Sequence, residues 1–140
     1  MCFIFYFEFL KKQARAHRQI KFLVNPPDPV LKDYLENSQI YASASRWEAL
    51  GLTFLEASLF GLPTLGFSSF GPASEVIIDG QTGFLASDLE DFRNKLGNLI
   101  VNSDLRIKLG ENGRKFAVGF TWEKTARRYL EVFKSENLSI

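Results

Sequence analysis

Two glutamates, Glu48 and Glu56, have seven residues between them, and Gly51 follows shortly after the first. Ionised carboxylates only accept hydrogen bonds, so they suit the hydroxyl groups of a sugar or a ribose. A helical pattern begins between them at about Gly51, and the free N–H groups and dipole of a helix start favour a phosphate. Eight residues span ~12 Å of helix. A ligand with a hydroxylated ring at each end and a diphosphate between would match this spacing.

The same residues also have a purely structural interpretation. Glu48 could act as a loop carboxylate that stabilises the helix start, and Glu56 as an ordinary exposed helical residue. Gly51 could only ease the loop into the helix. Arg46 and Trp47, which precede Glu48, are expected to make surface and packing contacts. The functional interpretation therefore depends on the surrounding pattern.

Composition excludes several classes of protein. The chain has 140 residues, enough for one compact domain, and its net charge of +1 gives no drive toward nucleic acid. A single cysteine, Cys2, excludes an internal disulfide and a thiolate metal site, and a single histidine, His17, argues against a zinc site. No apolar run approaches the ~18 residues that span a bilayer. We therefore expect no metal and no nucleic-acid partner.

Apolar runs alternate with helical patterns along the chain. We predict strands at residues 2–7, 20–24, 39–44, 62–67 and 82–86. Helices are predicted at residues 8–17, 28–36 and 51–60, in the segment 68–80, and from about residues 88, 103 and 121 onward. Strands separated by helices favour right-handed crossovers and a parallel sheet with helices on both sides. The predicted fold class is α/β, a three-layer α/β/α Rossmann-like domain over residues 1–140.

The run from Ser45 to Ala57, followed by Gly61-Leu62-Pro63, resembles the E-x7-E motif of retaining glycosyltransferases of family 4, the glycosyl transferases group 1 domain. The segment GPASEVIIDGQTGFLASD, residues 71–88, resembles the Gly-x-x-Glu-Ile-Ile-x-Asp-Gly-x-x-Gly pattern of the same family. Residues 104–133 look like its closing helices. The resemblance covers residues 20–133 and is most specific over residues 45–85.

This resemblance implies most of the C-terminal, donor-binding half of a GT-B fold, without the N-terminal acceptor-binding domain. It implies that Glu48 contacts the hydroxyls of the donor sugar and that Glu56 holds the ribose. The backbone would meet the sugar and diphosphate at four consecutive positions, Ala49, Leu50, Gly51 and Leu52.

The family resemblance also implies a reaction, the transfer of a hexose with retention of configuration. The donor would be a UDP-sugar or a GDP-sugar, the acceptor a glycan or a lipid-linked molecule, and no cofactor or metal would be needed. A basic Gly-Arg…Lys-Gly segment of the family is absent from this sequence, so we expect the isolated chain to be inactive. The expected location is cytoplasmic, with a peripheral position at the inner face of the membrane left open for the full-length enzyme.

Two other functions stay open at this point. The chain could be a non-catalytic Rossmann-like module that binds sugar nucleotides. It could also be an interaction domain without a ligand, forming a homodimer through the exposed face of the cleft.

Overall fold

The computed structural model describes residues 2–45, 50–68 and 73–135. The chain divides into two compact units, Met1–Asp33 and Tyr34–Ile140. Helix α1 spans Cys2–Ala14, and helix α2, Asp28–Asn37, begins in the first unit and ends in the second. The start of α2 agrees with the prediction of a helix beginning at Asp28-Pro29.

Two predicted strands in the first unit are wrong. Residues 2–7 belong to α1, and residues 20–24 form no strand. The run CFIFYF does not alternate between apolar and polar residues, so periodicity alone cannot distinguish a buried strand from a helix. No glycine or proline separates the run from the helix formers that follow it, and the helix extends through them. Within this unit Lys11 binds Glu8 at 3.1 Å and lies 4.3 Å above the ring of Phe7.

The second unit contains a parallel sheet of three strands in the order β1-β2-β3. Strand β1 is Tyr41–Ala42, β2 is Thr64–Phe67 and β3 is Gly83–Ala86. The register pairs Tyr41 with Thr64 and Thr64 with Gly83. Helix α3, Leu52–Leu59, connects β1 to β2, and the short helix α4, Ala73–Val76, connects β2 to β3. Helices α5, Leu89–Val101, α6, Ser103–Ala117, and α7, Trp122–Ser135, follow.

Apolar side chains from both faces of the sheet form the core. One cluster joins Leu85 and Tyr41 to buried residues of α3 and α4, including Phe54 and Val76, and to Ile77, which follows α4. The other joins Leu65, Phe84 and Ala86 to α5 and α6 through Phe92, Leu99 and Leu109. Successive residues of β3 belong to opposite clusters, as expected for a strand covered on both faces. The observed class is thus α/β, as predicted, with a parallel sheet between two layers of helices.

The first turn of α5 is capped by Asp88, whose Oδ1 accepts a 2.9 Å hydrogen bond from the N–H of Asp91. Asp91 in turn binds Lys95 at 2.9 Å and accepts the N–H of Ser87, and these contacts lower the pKa of its carboxyl group. The helix predicted to begin at about residue 88 thus has Asp88 as its cap.

Loss of this cap is expected to cost stability. The Asp88→Ala variant leaves the N–H of Asp91 without its acceptor, so we expect the free energy of unfolding to fall by about 1 kcal/mol. Asp88→Asn keeps a capping oxygen and should lose much less. Urea unfolding followed by circular dichroism compares the two variants with the original chain. Equal losses in both variants would mean that the carboxylate stabilises the helix by its charge alone.

Two glycines of the second unit allow close backbone contacts. A Cβ at Gly110 of α6 would overlap the carbonyl oxygen of Gly61, which follows α3. A Cβ at Gly83 would overlap the carbonyl oxygen of Thr64 on the neighbouring strand. Helix α6 therefore packs directly against the backbone at the end of α3, and only glycine fits at position 110 without displacement of one of them.

A turn at Asp79-Gly80 precedes β3. Gly80 has a φ of 70°, its N–H donates to the carbonyl of Gly83 at 2.9 Å, and Asp79 Oδ1 accepts the N–H of Leu85 at 2.9 Å. Both residues therefore shape the turn.

Within the described residues, every helix is too short or too polar to span a membrane.

Candidate functional site

Gly51 is the N-cap residue of α3, directly before Leu52. It is buried, with φ 66° and ψ 28°, a left-handed conformation that favours glycine. Its carbonyl oxygen accepts the N–H of Phe54 at 3.0 Å and that of Leu55 at 3.4 Å. No side chain caps this helix start. Within the described part of the chain, the first N–H groups of α3 are thus left for water or a ligand.

The topology brings the starts of α3 and α4 to the same edge of the sheet. Each follows the carboxyl end of a parallel strand, α3 after β1 and α4 after β2. In parallel α/β sheets this edge is where ligands bind. Glu56 lies on α3 and Glu75 on α4, and both are exposed. The two carboxylates thus belong to the helices that leave the edge of the sheet where a ligand is expected.

A groove of about 790 Å³ runs beside these helices. Most of its lining is apolar and comes from α3, α4 and α7, with Leu50 before α3 and Ala117 and Phe120 before α7. Its charged lining residues are Glu56, Glu75 and Arg128, and its hydroxyl groups are those of Thr121, Thr125 and Tyr129. Within the described residues, Glu56, Glu75 and Arg128 make no hydrogen bond or ion pair, so no described residue is paired with their charges. A mostly apolar groove with a few convergent polar groups is the usual form of a small-molecule site.

Four of the six predicted site residues are described. Leu50 and Leu52 line the groove with 53% and 55% of their surfaces exposed. Gly51 lies buried between them, and Glu56 lines the groove one turn further along α3. Glu48 and Ala49 lie outside the described residues, as do Arg46, Trp47 and the Gly71-Pro72 loop. The structure therefore brings Leu50, Leu52 and Glu56 to one groove, and the contact predicted for Glu48 stays a prediction.

The contribution of α7 was missed in the sequence. Trp122, Thr125, Arg128, Tyr129 and Val132 all line the groove. Their spacing of three and four residues gives one stripe along a helix, and this signal was available in the sequence. No residue of α7 is buried, and Trp122 is 87% exposed. A stripe of this kind usually indicates core packing, whereas here it forms one wall of a groove.

The fold is that of an α/β domain of the kind found in GT-B glycosyltransferases. Residues 5–116 match the family described as glycosyl transferases group 1. The chain belongs to this family.

Relatives of the chain are glycosyltransferases by name. A D-inositol 3-phosphate glycosyltransferase of Corynebacterium urealyticum is 28% identical over 130 residues, which are 91% of this chain and 30% of the relative. An uncharacterized glycosyltransferase of Methanocaldococcus jannaschii is 35% identical over 90% of this chain and 36% of the relative. The chain thus spans about a third of the length of these curated relatives.

A solved structure with the same fold is HepE of Anabaena, determined in complex with UDP and glucose. It has a TM-score of 0.77 and 23% identity, and the match covers 93% of this chain and 36% of HepE. At this level of identity the likeness concerns the fold.

Proposed function

We propose that this chain is the donor-binding part of a retaining glycosyltransferase of family 4 and that it binds a UDP-sugar or a GDP-sugar. The observation that carries the proposal is the position of Glu56, which lines the groove without a protein partner among the described residues. Leu50 and Leu52, on either side of the uncapped helix start at Gly51, line the same groove. A carboxylate for hydroxyl groups and N–H groups for a phosphate would thus be available to one ligand.

The roles follow from the chemistry of each group. The carboxylate of Glu56 accepts hydrogen bonds from the ribose hydroxyls, and the backbone from Ala49 to Leu52 meets the sugar and the diphosphate. Glu48 accepts hydrogen bonds from the donor sugar. Because each glutamate recognises hydroxyl groups, neither acts as a nucleophile. The donor is a substrate, and this assignment requires neither a cofactor nor a metal ion.

The proposal for the whole protein goes further than this chain. The transferred group is a hexose, and the acceptor is a glycan or a lipid-linked molecule held by an N-terminal domain of the GT-B type. Since the chain spans about a third of its curated relatives, we propose that the described groove supplies one side of the cleft and that the chain alone turns over no donor. Activity would require the acceptor-binding domain.

The exposed apolar lining favours a second candidate function, self-association. Leu50, Leu52, Trp122 and Tyr129 are each more than half exposed. A contiguous apolar surface of this kind is typical of protein contacts, and a homodimer would cover it. Analytical ultracentrifugation of the chain distinguishes this candidate: a dimer that persists in saturating nucleotide sugar would favour it over donor binding at the groove.

Ligand binding to the chain is the direct test of the main proposal. We expect UDP-glucose or GDP-mannose to raise the midpoint of thermal unfolding, because a ligand at 100 times its dissociation constant adds about 2.7 kcal/mol to the free energy of unfolding. Free glucose at the same concentration serves as the control and should give no shift. The absence of a shift with both nucleotide sugars at millimolar concentration would contradict the proposal.

A further inference from the structure

Helix α7 presents one mixed stripe to the groove. Trp122, Thr125, Arg128, Tyr129 and Val132 recur at intervals of three and four residues, so they lie on one side of the helix. Arg128 is the cation among the described lining residues of the groove. The neighbouring Arg127 does not line it, because adjacent positions on a helix point about 100° apart. The helix thus carries two adjacent arginines with different surroundings.

The described lining of the groove has more negative than positive groups before any ligand binds. Glu56 and Glu75 contribute two carboxylates to the described lining, and Arg128 contributes one guanidinium group. A nucleoside diphosphate brings further negative charge, which the carboxylates repel. A cation in the same groove offsets this repulsion. The guanidinium group also has a planar fork of N–H donors that matches two phosphate oxygens at once.

Arg128 is available for this contact. Within the described residues it makes no hydrogen bond or ion pair, in contrast to Arg106, whose guanidinium group donates to the carbonyls of Leu99 and Ile100 at 2.7 and 2.8 Å. Arg106 therefore has a structural role at the end of α5. Among the described residues, the guanidinium group of Arg128 has no such partner, and it lies in the groove that contains Glu56.

We propose that Arg128 binds the diphosphate of the sugar nucleotide and so positions the donor against α3. This inference rests on the proposed donor-binding function. It assigns to α7 a part in donor recognition in addition to that of Glu56. Removing the guanidinium group should therefore weaken the binding of ligands that carry phosphate and leave the binding of the free nucleoside unchanged.

The experiment compares Arg128→Gln with the matched control Arg127→Gln by isothermal titration with UDP, UDP-glucose and uridine, and with the guanine equivalents. We expect Arg128→Gln to weaken binding of UDP and UDP-glucose about tenfold, with uridine unchanged and a shallower dependence of affinity on salt. Arg127→Gln should stay within about twofold of the original chain, since it removes the same charge outside the groove. The affinity of Arg128→Lys for UDP and UDP-glucose should lie between those of the original chain and Arg128→Gln, because an ammonium group keeps the charge but lacks the planar fork.

The outcomes separate the inference from the function on which it rests. If the original chain binds the diphosphates and Arg128→Gln binds them equally well, the role of Arg128 is wrong and the proposed function stands. Equal losses in Arg128→Gln and Arg127→Gln would also overturn it, because the effect would then be one of net charge. If the original chain binds no nucleotide of either base, both proposals fail. Circular dichroism of the unliganded variants verifies that each is folded.

Discussion

The Glu56→Ala variant is expected to bind UDP and UDP-glucose about ten- to hundredfold more weakly than the original chain. Hydrogen bonds to a charged group are worth about 1.5–3 kcal/mol, which corresponds to roughly this range of affinity. Both ligands lose affinity because both contain the ribose that Glu56 is proposed to hold. Isothermal titration of the two ligands measures the effect, and the guanine ligands replace them if the chain prefers GDP.

A matched control is Glu131→Ala, which removes an exposed helical carboxylate on α7 that does not line the groove. Its affinity for both ligands should change less than twofold. Glu48→Ala should weaken the sugar nucleotide and leave UDP unchanged, since the proposed contact of Glu48 is with the transferred sugar. A Glu56→Ala variant that binds UDP as tightly as the original chain would remove the ribose contact from the proposal.

Gly110→Ala is expected to destabilise the fold by about 1–3 kcal/mol, the usual cost of forcing an extra methyl group into a packed site. The added Cβ would overlap the carbonyl oxygen of Gly61, a backbone atom that cannot rotate away as a flexible side chain can. Relief requires α6 to move away from the end of α3, and Leu109, next to Gly110, is fully buried in the core.

Gly97→Ala is the control, and we expect it to change the free energy of unfolding in the opposite direction. Gly97 also lies inside a helix, α5, but a Cβ there meets nothing within 4 Å beyond the nearby backbone of its own helix. Alanine should therefore stabilise the chain by roughly 0.5–1 kcal/mol through its greater helix propensity. Chemical unfolding of both variants measures the contrast. Two variants of equal stability would show that the contact between α6 and Gly61 is looser than described.

The second unit was largely predictable from the sequence because its signals are local. Asp88 caps α5, α3 ends shortly before Gly61-Leu62-Pro63, and β2 and β3 are short apolar runs bounded by turn residues. The first unit was not predictable in this way. A parallel strand exists only beside hydrogen-bonded neighbours, and the apolar runs at residues 2–7 and 20–24 carry no local signal of such neighbours. The sequence therefore specified apolar segments there, and the structure shows a helix and an irregular segment.

The candidate site was also predictable from the sequence only in part. The positions of Leu50, Gly51, Leu52 and Glu56 at the start of α3 follow from adjacent residues in the sequence. The participation of Arg128 and Trp122 depends on α7 lining the same groove as α3 and α4, and these segments are far apart in the chain. The sequence indicated the amphipathic pattern of α7 but gave no information about which surface its apolar stripe would face.

The contact between Gly110 and Gly61 also has a consequence for motion. Helix α3 is fixed at its end by the backbone of α6, whereas no side chain caps its beginning at Gly51. Local opening of this helix should therefore start at its first turn and stop short of its last. A sugar nucleotide seated on that first turn would order only this end of the helix, so the conformational entropy lost when the donor binds would be confined to that turn.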